Sequence, residues 1–455
     1  MSTRVVPTYV AGRWVILSVS VALTVTTVAT FLLGNSTVRL AVLAVLGAAF
    51  ATYVATVHPL AVFVSLAVVL GAAPFMHVPL SPVPALLFLA AGVWVALGFL
   101  PGVEFRPGWC EVWVTLLAAT AFLSVVGTGA SRTALVELVA WVAATALVIP
   151  VRFLPTQARV TVMRVFAVGA AVGAVVGVVV RLGSFDVLLD LLSLVGYDPD
   201  QNVQRVYGSE DVTTRLSGSF LEPNVAGLIL AAGLFIAVAY FHRSARLVLV
   251  AVIGAGLLLT LSRAAVLTVV LAGLLVLLRA QSHRLGILVS GCFAVLAALA
   301  MPSVRLRLKE SFGPTDAGVV DRLLALQSFP ATMDGHWVWG LGWARAEFRS
   351  RSLGQVVNYV ANGPLVTIYR GGIVVGVLVL VVAAVLVVRS WLAAQRSFED
   401  AVVCCGVIAF ILVAWQLDFP IALQAPATAV FSFLVAASLT HAHDPPSESS
   451  RTTRA

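Results

Sequence analysis

The feature that most constrains this chain is the succession of long apolar runs that fills most of its 455 residues. A run of about 17 or more apolar residues is long enough to cross the roughly 30 Å hydrocarbon core of a bilayer as a helix. Hydrophobic residues make up 60% of the sequence and charged residues 11%, whereas about 25% charged residues is usual in soluble domains. The sequence therefore predicts an all-α polytopic membrane protein.

About fourteen such runs can be counted, with a range of about 12 to 14 because some of the runs are short. The predicted spans lie near residues 14–34, 40–57, 60–77, 83–100, 112–128, 134–151, 160–182, 224–241, 246–261, 263–279, 285–301, 364–388, 402–417 and 422–440. The first run, from Trp14 to Leu33, is longer than the apolar core of a signal peptide, so we expect a retained helix.

These spans predict a linear division of the chain into membrane regions and loops. The divisions are an N-terminal helical membrane region 1–182, a first external loop 183–223, a four-helix membrane segment 224–301, a large external loop 302–363, C-terminal membrane helices 364–441 and a disordered cytoplasmic tail 442–455.

The distribution of arginine predicts the orientation of the spans. Most short loops on the side of Arg4 and Arg13 carry arginine, and the opposite short loops carry little, so both termini are predicted to be cytoplasmic. The net charge of +8 comes from scattered residues rather than a basic patch, so nucleic acid is not an expected partner. No cysteine lies in the two long loops, so no metal site is expected either.

Three predicted helix starts on the external side carry polar signatures. Glu222 and Pro223 precede the first helix, Ser262 can cap the second, and Asn362 can cap the third. Helix N-termini carry partial positive charge, which favours bound anions.

An arginine lies near each of these starts: Arg215 upstream of the first, Arg263 in the second, and Arg370 about two turns inside the third. Guanidinium forks and helix N-termini together suit a phosphate or pyrophosphate. Two plainer interpretations stay open, since Arg263 also fits an arginine that reaches for the membrane interface. The stretch from Arg215 to Asn224 also fits a simple turn.

The polar stretch resembles a known signature. Residues Arg215 to Gly227 are similar to the pattern R-x-x-G-x-F-x-x-P-N-x-x-G, and Leu258 to Ala265 is similar to an L-x-x-S-R-x-x segment. Gly340 to Trp343, followed by Asn358 to Gly376, resembles the large loop of the same proteins. These proteins are the O-antigen ligase and Wzy-type polymerase superfamily of bacterial envelope polysaccharide enzymes.

The resemblance implies a metal-independent glycosyltransferase without a cofactor, in the inner membrane. Its donor would be a polyprenyl-pyrophosphate-linked glycan at the external face, and its acceptor a glycan or a lipid. Residues matching Arg215 and Arg263 would hold the pyrophosphate, with substrate contacts from the other motif residues. We expect those contacts from Arg370, Glu222, Asn224, Ser262, Asn362 and Trp343.

One residue departs from the ligase pattern, in which a histidine thought to act as base precedes the asparagine before the third helix. Here the residue before Asn362 is Ala361, which favours a polymerase slightly over a ligase. The candidates for a base in the large loop are His336, Glu347, Asp334 and Asp321.

The tryptophans beside His336, together with Trp343, suit either sugar stacking or membrane anchoring. The alternative function is a transporter or flippase, in which the arginines form an anion pathway. It is less favoured because the cytoplasmic halves of the spans offer few polar groups beyond Arg164 and Glu137.

Overall fold

The computed structural model describes most of the chain beyond its first 48 residues. The described residues are 49–77, 84–101, 103, 108–182, 215–279, 317–343, 348–349, 356–357, 362–417 and 420–440, with isolated positions at 193, 286, 288 and 291. The predicted span 14–34, most of 285–301 and the tail 442–455 lie outside them.

The described part is almost entirely helical, as predicted. The helices of the first half are α1 (Ala49–Val57), α2 (Pro59–Ala72), α3 (Ala85–Leu97), α4 (Trp109–Gly127), α5 (Arg132–Ala146), α6 (Val148–Arg152) and α7 (Thr156–Leu182). The helices of the second half are α8 (Pro223–Tyr240), α9 (Arg243–Leu259), α10 (Arg263–Arg279), α11 (Ala317–Thr332), α12 (Gly363–Ala393), α13 (Phe398–Ala409), α14 (Trp415–Leu417), α15 (Pro420–Leu423) and α16 (Ala425–Thr440).

Two regions of this helical order carry irregular structure. A π-helical turn, Phe410–Ala414, joins α13 to α14. The segment predicted as the large loop contains α11 and an antiparallel pair of two-residue strands, β1 (Phe348–Arg349) and β2 (Val356–Val357).

Six helices within the described ranges are long and apolar enough to cross a membrane, or seven if α1 and α2 form one bent span. The six are Trp109–Gly127, Arg132–Arg152, Thr156–Leu182, Pro223–Tyr240, Gly363–Ala393 and Phe398–Leu417. Large apolar side chains are exposed on these helices, including Val126, Val139 and Val377.

The chain forms two compact units. One comprises Met1–Val62 with Gly92–Pro101, and the other comprises Phe63–Ala91 with Gly102–Ala455. Every candidate site residue that the structure describes belongs to the second unit.

Close helix packing in the second unit depends on small residues. Helix α7 carries glycines at four-residue intervals, Gly169, Gly173 and Gly177, so all three lie on one face. A Cβ at Gly169 would come within 3.3 Å of the Cα of Gly71 in α2. Small residues on one face let backbones approach closely, which is how membrane helices commonly associate.

Candidate functional site

The stretch that precedes α8 folds as a compact corner. Gly218–Phe220 forms one 3₁₀ turn, and α8 begins at Pro223 with Glu222 as its N-cap, one residue before the predicted span 224–241. Two residues of the corner have left-handed backbone, Gly218 with φ 52° and Leu221 with φ 57°. A non-glycine residue in this conformation costs of order 1–3 kcal/mol, so the surrounding structure must hold the corner in place.

The glycine face of α7 supplies that support. A Cβ at Gly173 would lie 2.4 Å from the Cζ of Phe220, and one at Gly177 would lie 2.7 Å from Leu216. The side chains of Phe220 and Leu216 are fully buried there. The hydroxyl of Ser219 also donates a hydrogen bond of 2.6 Å to the carbonyl of Ala72.

Arg215 connects this corner to two other elements. Its Nε donates to the carbonyl of Thr260 at 2.9 Å, and its Nη2 donates to the Oδ1 of Asn224 at 2.7 Å. Asn224 lies in the first turn of α8, and Thr260 directly follows α9. The half-buried guanidinium is therefore fixed between the start of α8 and the turn that leads into α10.

The start of α10 lies against the start of α8. Ser262 is buried and its hydroxyl accepts a hydrogen bond from the backbone N–H of Ala265 at 3.4 Å, which is the predicted cap. A Cβ at Gly227 would lie 2.7 Å from that of Ala265 and 2.9 Å from that of Ser262. Arg263, the first residue of α10, is half-buried beside these contacts.

The third predicted helix start is also confirmed. Asn362 is the N-cap of α12, and its Oδ1 accepts a hydrogen bond from the N–H of Leu365 at 3.1 Å. Its Nδ2 donates to the carbonyl of Gln416 at 3.2 Å and to the Oε1 of Gln416 at 3.3 Å. The start of α12 is thereby attached to the end of α14.

Glu222 makes a contact that the sequence does not indicate. Its Oε2 accepts a hydrogen bond of 2.5 Å from the Nε2 of Gln424, which lies between α15 and α16. No side-chain cap is formed by Glu222 itself. The carboxylate therefore joins the start of α8 to the C-terminal helices.

Arg370 lies in a second cluster. Its side chain is 2% exposed, with Nη2 at 3.5 Å from the Oε2 of Glu137 and Cζ at 5.6 Å from the ring centroid of Trp343. An arginine this far inside a span usually has a partner or faces a cavity, and here the partner is a carboxylate. The contacts found for Arg370 are therefore with other residues than those of Arg215, which binds Asn224 and Thr260.

A break in α12 creates the surroundings of Arg370. Gly372 has φ 80°, which interrupts the helix directly after Gly371. The segment after α11 replaces a main-chain hydrogen bond that the break removes from α12, because the N–H of Ile373 donates to the carbonyl of Trp337 at 2.8 Å. In return, Leu341 N–H donates to the carbonyl of Tyr369 at 2.7 Å. The Gly-Leu-Gly segment before Trp343 therefore stabilises the broken part of α12 by main-chain hydrogen bonds.

Glu137 lies in the second turn of α5, beside Arg370. Ser131 caps this helix by accepting a hydrogen bond from the N–H of Ala134 at 3.1 Å. The pairing of Glu137 with Arg370 was not predicted from the sequence, because the two residues are far apart along the chain.

The aromatic residues near His336 have two different environments. Trp343 is 1% exposed, and its Nε1 donates to the hydroxyl of Ser124 at 2.9 Å, so both ring faces are covered by protein. Trp337 and Trp339 are 38% and 47% exposed. His336 is exposed, with Nδ1 at 2.8 Å from the carbonyl oxygen of Asp334.

Some predicted residues cannot be placed within the site. Glu347 and Ala361 lie outside the described residues, as does the side chain of Asp321. In the described part of the chain, no group of three or more His, Cys, Asp or Glu side chains could hold a metal ion.

The structure therefore joins Arg215, Asn224 and Ser262 in one corner made by the starts of α8 and α10, with Arg263 at its edge. Two helix N-termini and the half-buried guanidinium of Arg215 supply donors suited to an anion here, although the carboxylate of Glu222 lies at the same end of α8. A scan of the chain against protein-family models finds no match, and a search of curated proteins finds no similar sequence.

Proposed function

We propose that this chain is a metal-independent membrane glycosyltransferase that polymerises or ligates a polyprenyl-pyrophosphate-linked glycan. The observation that carries the proposal is the Arg215 corner, where a guanidinium is fixed between two helix N-termini. Pre-positioned positive donors stabilise the charge that develops on a departing pyrophosphate. The resemblance of Arg215 to Gly227 to the O-antigen ligase and Wzy signature supports the same chemistry.

The roles follow from where the side chains lie. Arg215 and Arg263 hold the pyrophosphate, with Asn224 and Ser262 fixing the geometry of the two helix starts. Arg370 binds substrate from its own cluster, and buried Trp343 acts through Arg370. Glu222 and Asn362 join neighbouring helices to the site.

A base toward the acceptor hydroxyl comes from the large loop. His336 is the first candidate, since it is exposed and its Nδ1 lies 2.8 Å from the carbonyl oxygen of Asp334. Glu347 is the second candidate. Polymerisation is favoured over ligation because Ala361 replaces the histidine of the ligase pattern.

The proposed architecture places this site on the external face of the inner membrane. In this architecture the chain has about fourteen spans, as its apolar runs predict. Both termini lie in the cytoplasm and the two long loops are external, as the arginine distribution predicts. The glycan acceptor then approaches from outside, and the lipid tail of the donor stays in the bilayer.

Transfer by purified protein tests the proposal. With a polyprenyl-pyrophosphate oligosaccharide as donor and acceptor, and with chelator present, the parent chain should lengthen the glycan. Arg215→Lys keeps the charge but loses the guanidinium fork. We expect it and Arg263→Ala to reduce transfer at least about 100-fold, the usual order for losing one electrostatic donor.

The matched control is Arg243→Gln, which removes an exposed arginine at the start of α9. It should leave transfer unchanged, and all variants should retain the unfolding temperature of the parent to within a few degrees. Full activity of both Arg215→Lys and Arg263→Ala would refute the pyrophosphate role.

A transporter or flippase is the second candidate, favoured by one observation, the Arg370–Glu137 ion pair within two membrane-spanning helices. Such pairs mark ion or substrate pathways in many transporters. Movement of labelled lipid across liposomes without any lengthening of the glycan would establish this alternative.

A further inference from the structure

An apolar cavity lies between α4, α5, α12 and α16, separate from the Arg215 corner. Its interior volume is about 120 Å³. One water molecule needs only roughly 10–15 Å³ of such space, so the cavity has room for a larger occupant. Leu117, Val382 and Val435 are representative of its lining.

The few hydroxyl groups in the lining are already satisfied. Each donates a hydrogen bond to a main-chain carbonyl: Thr145 to Trp141 at 2.8 Å, Thr367 to Gly363 at 2.8 Å, Thr428 to Ile421 at 2.6 Å and Ser432 to Thr145 at 3.3 Å. A cavity that offers its occupant no free polar partner from these groups favours hydrocarbon over water. The lining therefore suits an apolar chain.

A positive charge lies beside one of the lining residues. Trp109 lines the cavity, and the Cζ of Arg389 lies 4.6 Å from its ring centroid. Arg389 is exposed, and no salt bridge joins it to a carboxylate of the described residues. The adjacent Arg152 is neutralised by Glu111 at 2.5 Å. Arg389 therefore leaves a positive charge, without a carboxylate partner among the described residues, beside Trp109 of the cavity lining.

We infer that this cavity holds one acyl chain of an anionic glycerophospholipid, with its phosphate at Arg389. A tryptophan and an arginine beside an apolar cavity match a lipid at the membrane interface, since the indole suits the headgroup level. The positive charge selects an anionic headgroup over a zwitterionic one. This inference does not depend on the proposed glycosyl transfer.

Native mass spectrometry of the full chain tests the inference. In an equimolar mixture of phosphatidylglycerol and phosphatidylcholine, we expect one retained phosphatidylglycerol per chain. The preference should be about fivefold, which corresponds to about 1 kcal/mol for one arginine near an anionic headgroup. Arg389→Gln should abolish the preference, whereas Arg243→Gln, at the start of α9, should keep it.

Two neighbouring valines of α12 provide a test of location. Val382 lines the cavity, and Val381 is 41% exposed on the outer face. Val382→Trp should fill the cavity and reduce retained lipid at least about fivefold, while Val381→Trp should retain it. Unchanged retention in folded Val382→Trp would overturn the inference, as would displacement of the phospholipid by an equal amount of polyprenyl phosphate.

Fluorescence quenching of the parent chain tests the inference without the risk that a variant fails to fold. Trp109, Trp113, Trp141 and Trp415 line the cavity, so lipids with brominated acyl chains should quench their fluorescence. Half-maximal quenching should need about fivefold less brominated phosphatidylglycerol than brominated phosphatidylcholine. Equal quenching by the two lipids would overturn the inference.

Discussion

The packing of the Arg215 corner against α7 can be tested by adding one methyl group to α7. Gly173→Ala would place a Cβ 2.4 Å from the Cζ of Phe220 and 3.0 Å from the carbonyl oxygen of Gly71. The ring of Phe220 is fully buried. Overpacking of this kind costs about 1–3 kcal/mol.

A second effect of the same change must be separated from this cost. Alanine in a helix interior is favoured over glycine by roughly 0.5–1 kcal/mol. Gly273→Ala in α10 isolates that gain, because a Cβ at Gly273 meets nothing within 4 Å. The two substitutions are chemically identical, so their difference of about 1–3 kcal/mol reports the close contacts with Phe220 and Gly71.

Thermal unfolding in detergent measures the difference. Gly273→Ala should raise Tm slightly, and Gly173→Ala should lower it, with the two separated by roughly a few degrees. Adding Phe220→Leu to Gly173→Ala removes the outer ring carbons and should reverse the loss, giving a coupling of about 0.5–3 kcal/mol. Equal Tm values for the two alanine variants would refute the packing of Phe220 against α7.

Three further predictions concern the other clusters. Glu137→Gln removes the carboxylate partner of buried Arg370 and should lower the free energy of unfolding by about 1–2 kcal/mol. The loss is smaller than for a fully buried pair because Glu137 is 44% exposed. An unchanged Tm would contradict the pairing. Asn362→Ala should lose about 1 kcal/mol of cap energy, and Asn362→Asp should recover it in the same unfolding assay while still lacking the donor to Gln416. Gly372→Ala combines φ 80° with a Cβ 1.9 Å from the carbonyl oxygen of Val338, so monodisperse protein should be lost on size-exclusion chromatography; normal yield would exclude the break in α12.

Much of the helical order could be predicted from the sequence because its causes are local. Apolar runs predicted helices, and the starts at Pro223, Arg263 and Gly363 follow from residues within one turn of each start. The helix α11 inside the large loop was not predicted, because its pattern is short and interrupted by Pro330. The number of spans beyond the described helices remains a prediction.

The candidate site was predicted in part. The residue types around Arg215 indicated anion binding. Its contact with Thr260 could not be predicted, because Thr260 follows α9 and is 45 residues away along the chain. Trp343 was expected either to stack on a sugar or to anchor at the membrane interface, yet it is 1% exposed and packs beside Arg370. Composition within a loop gives no information on which side chains the fold later covers.

The sequence by itself determined that the described chain is helical and apolar, and where its polar helix starts lie, because periodicity and caps act over a few residues. Only the tertiary structure decided that Leu216 and Phe220 sit on the glycine face of α7, and that Glu137 accompanies Arg370. Those choices depend on which helices approach each other closely. That is a property of the whole packed bundle, in which a missing Cβ or a buried charge selects a partner distant in sequence.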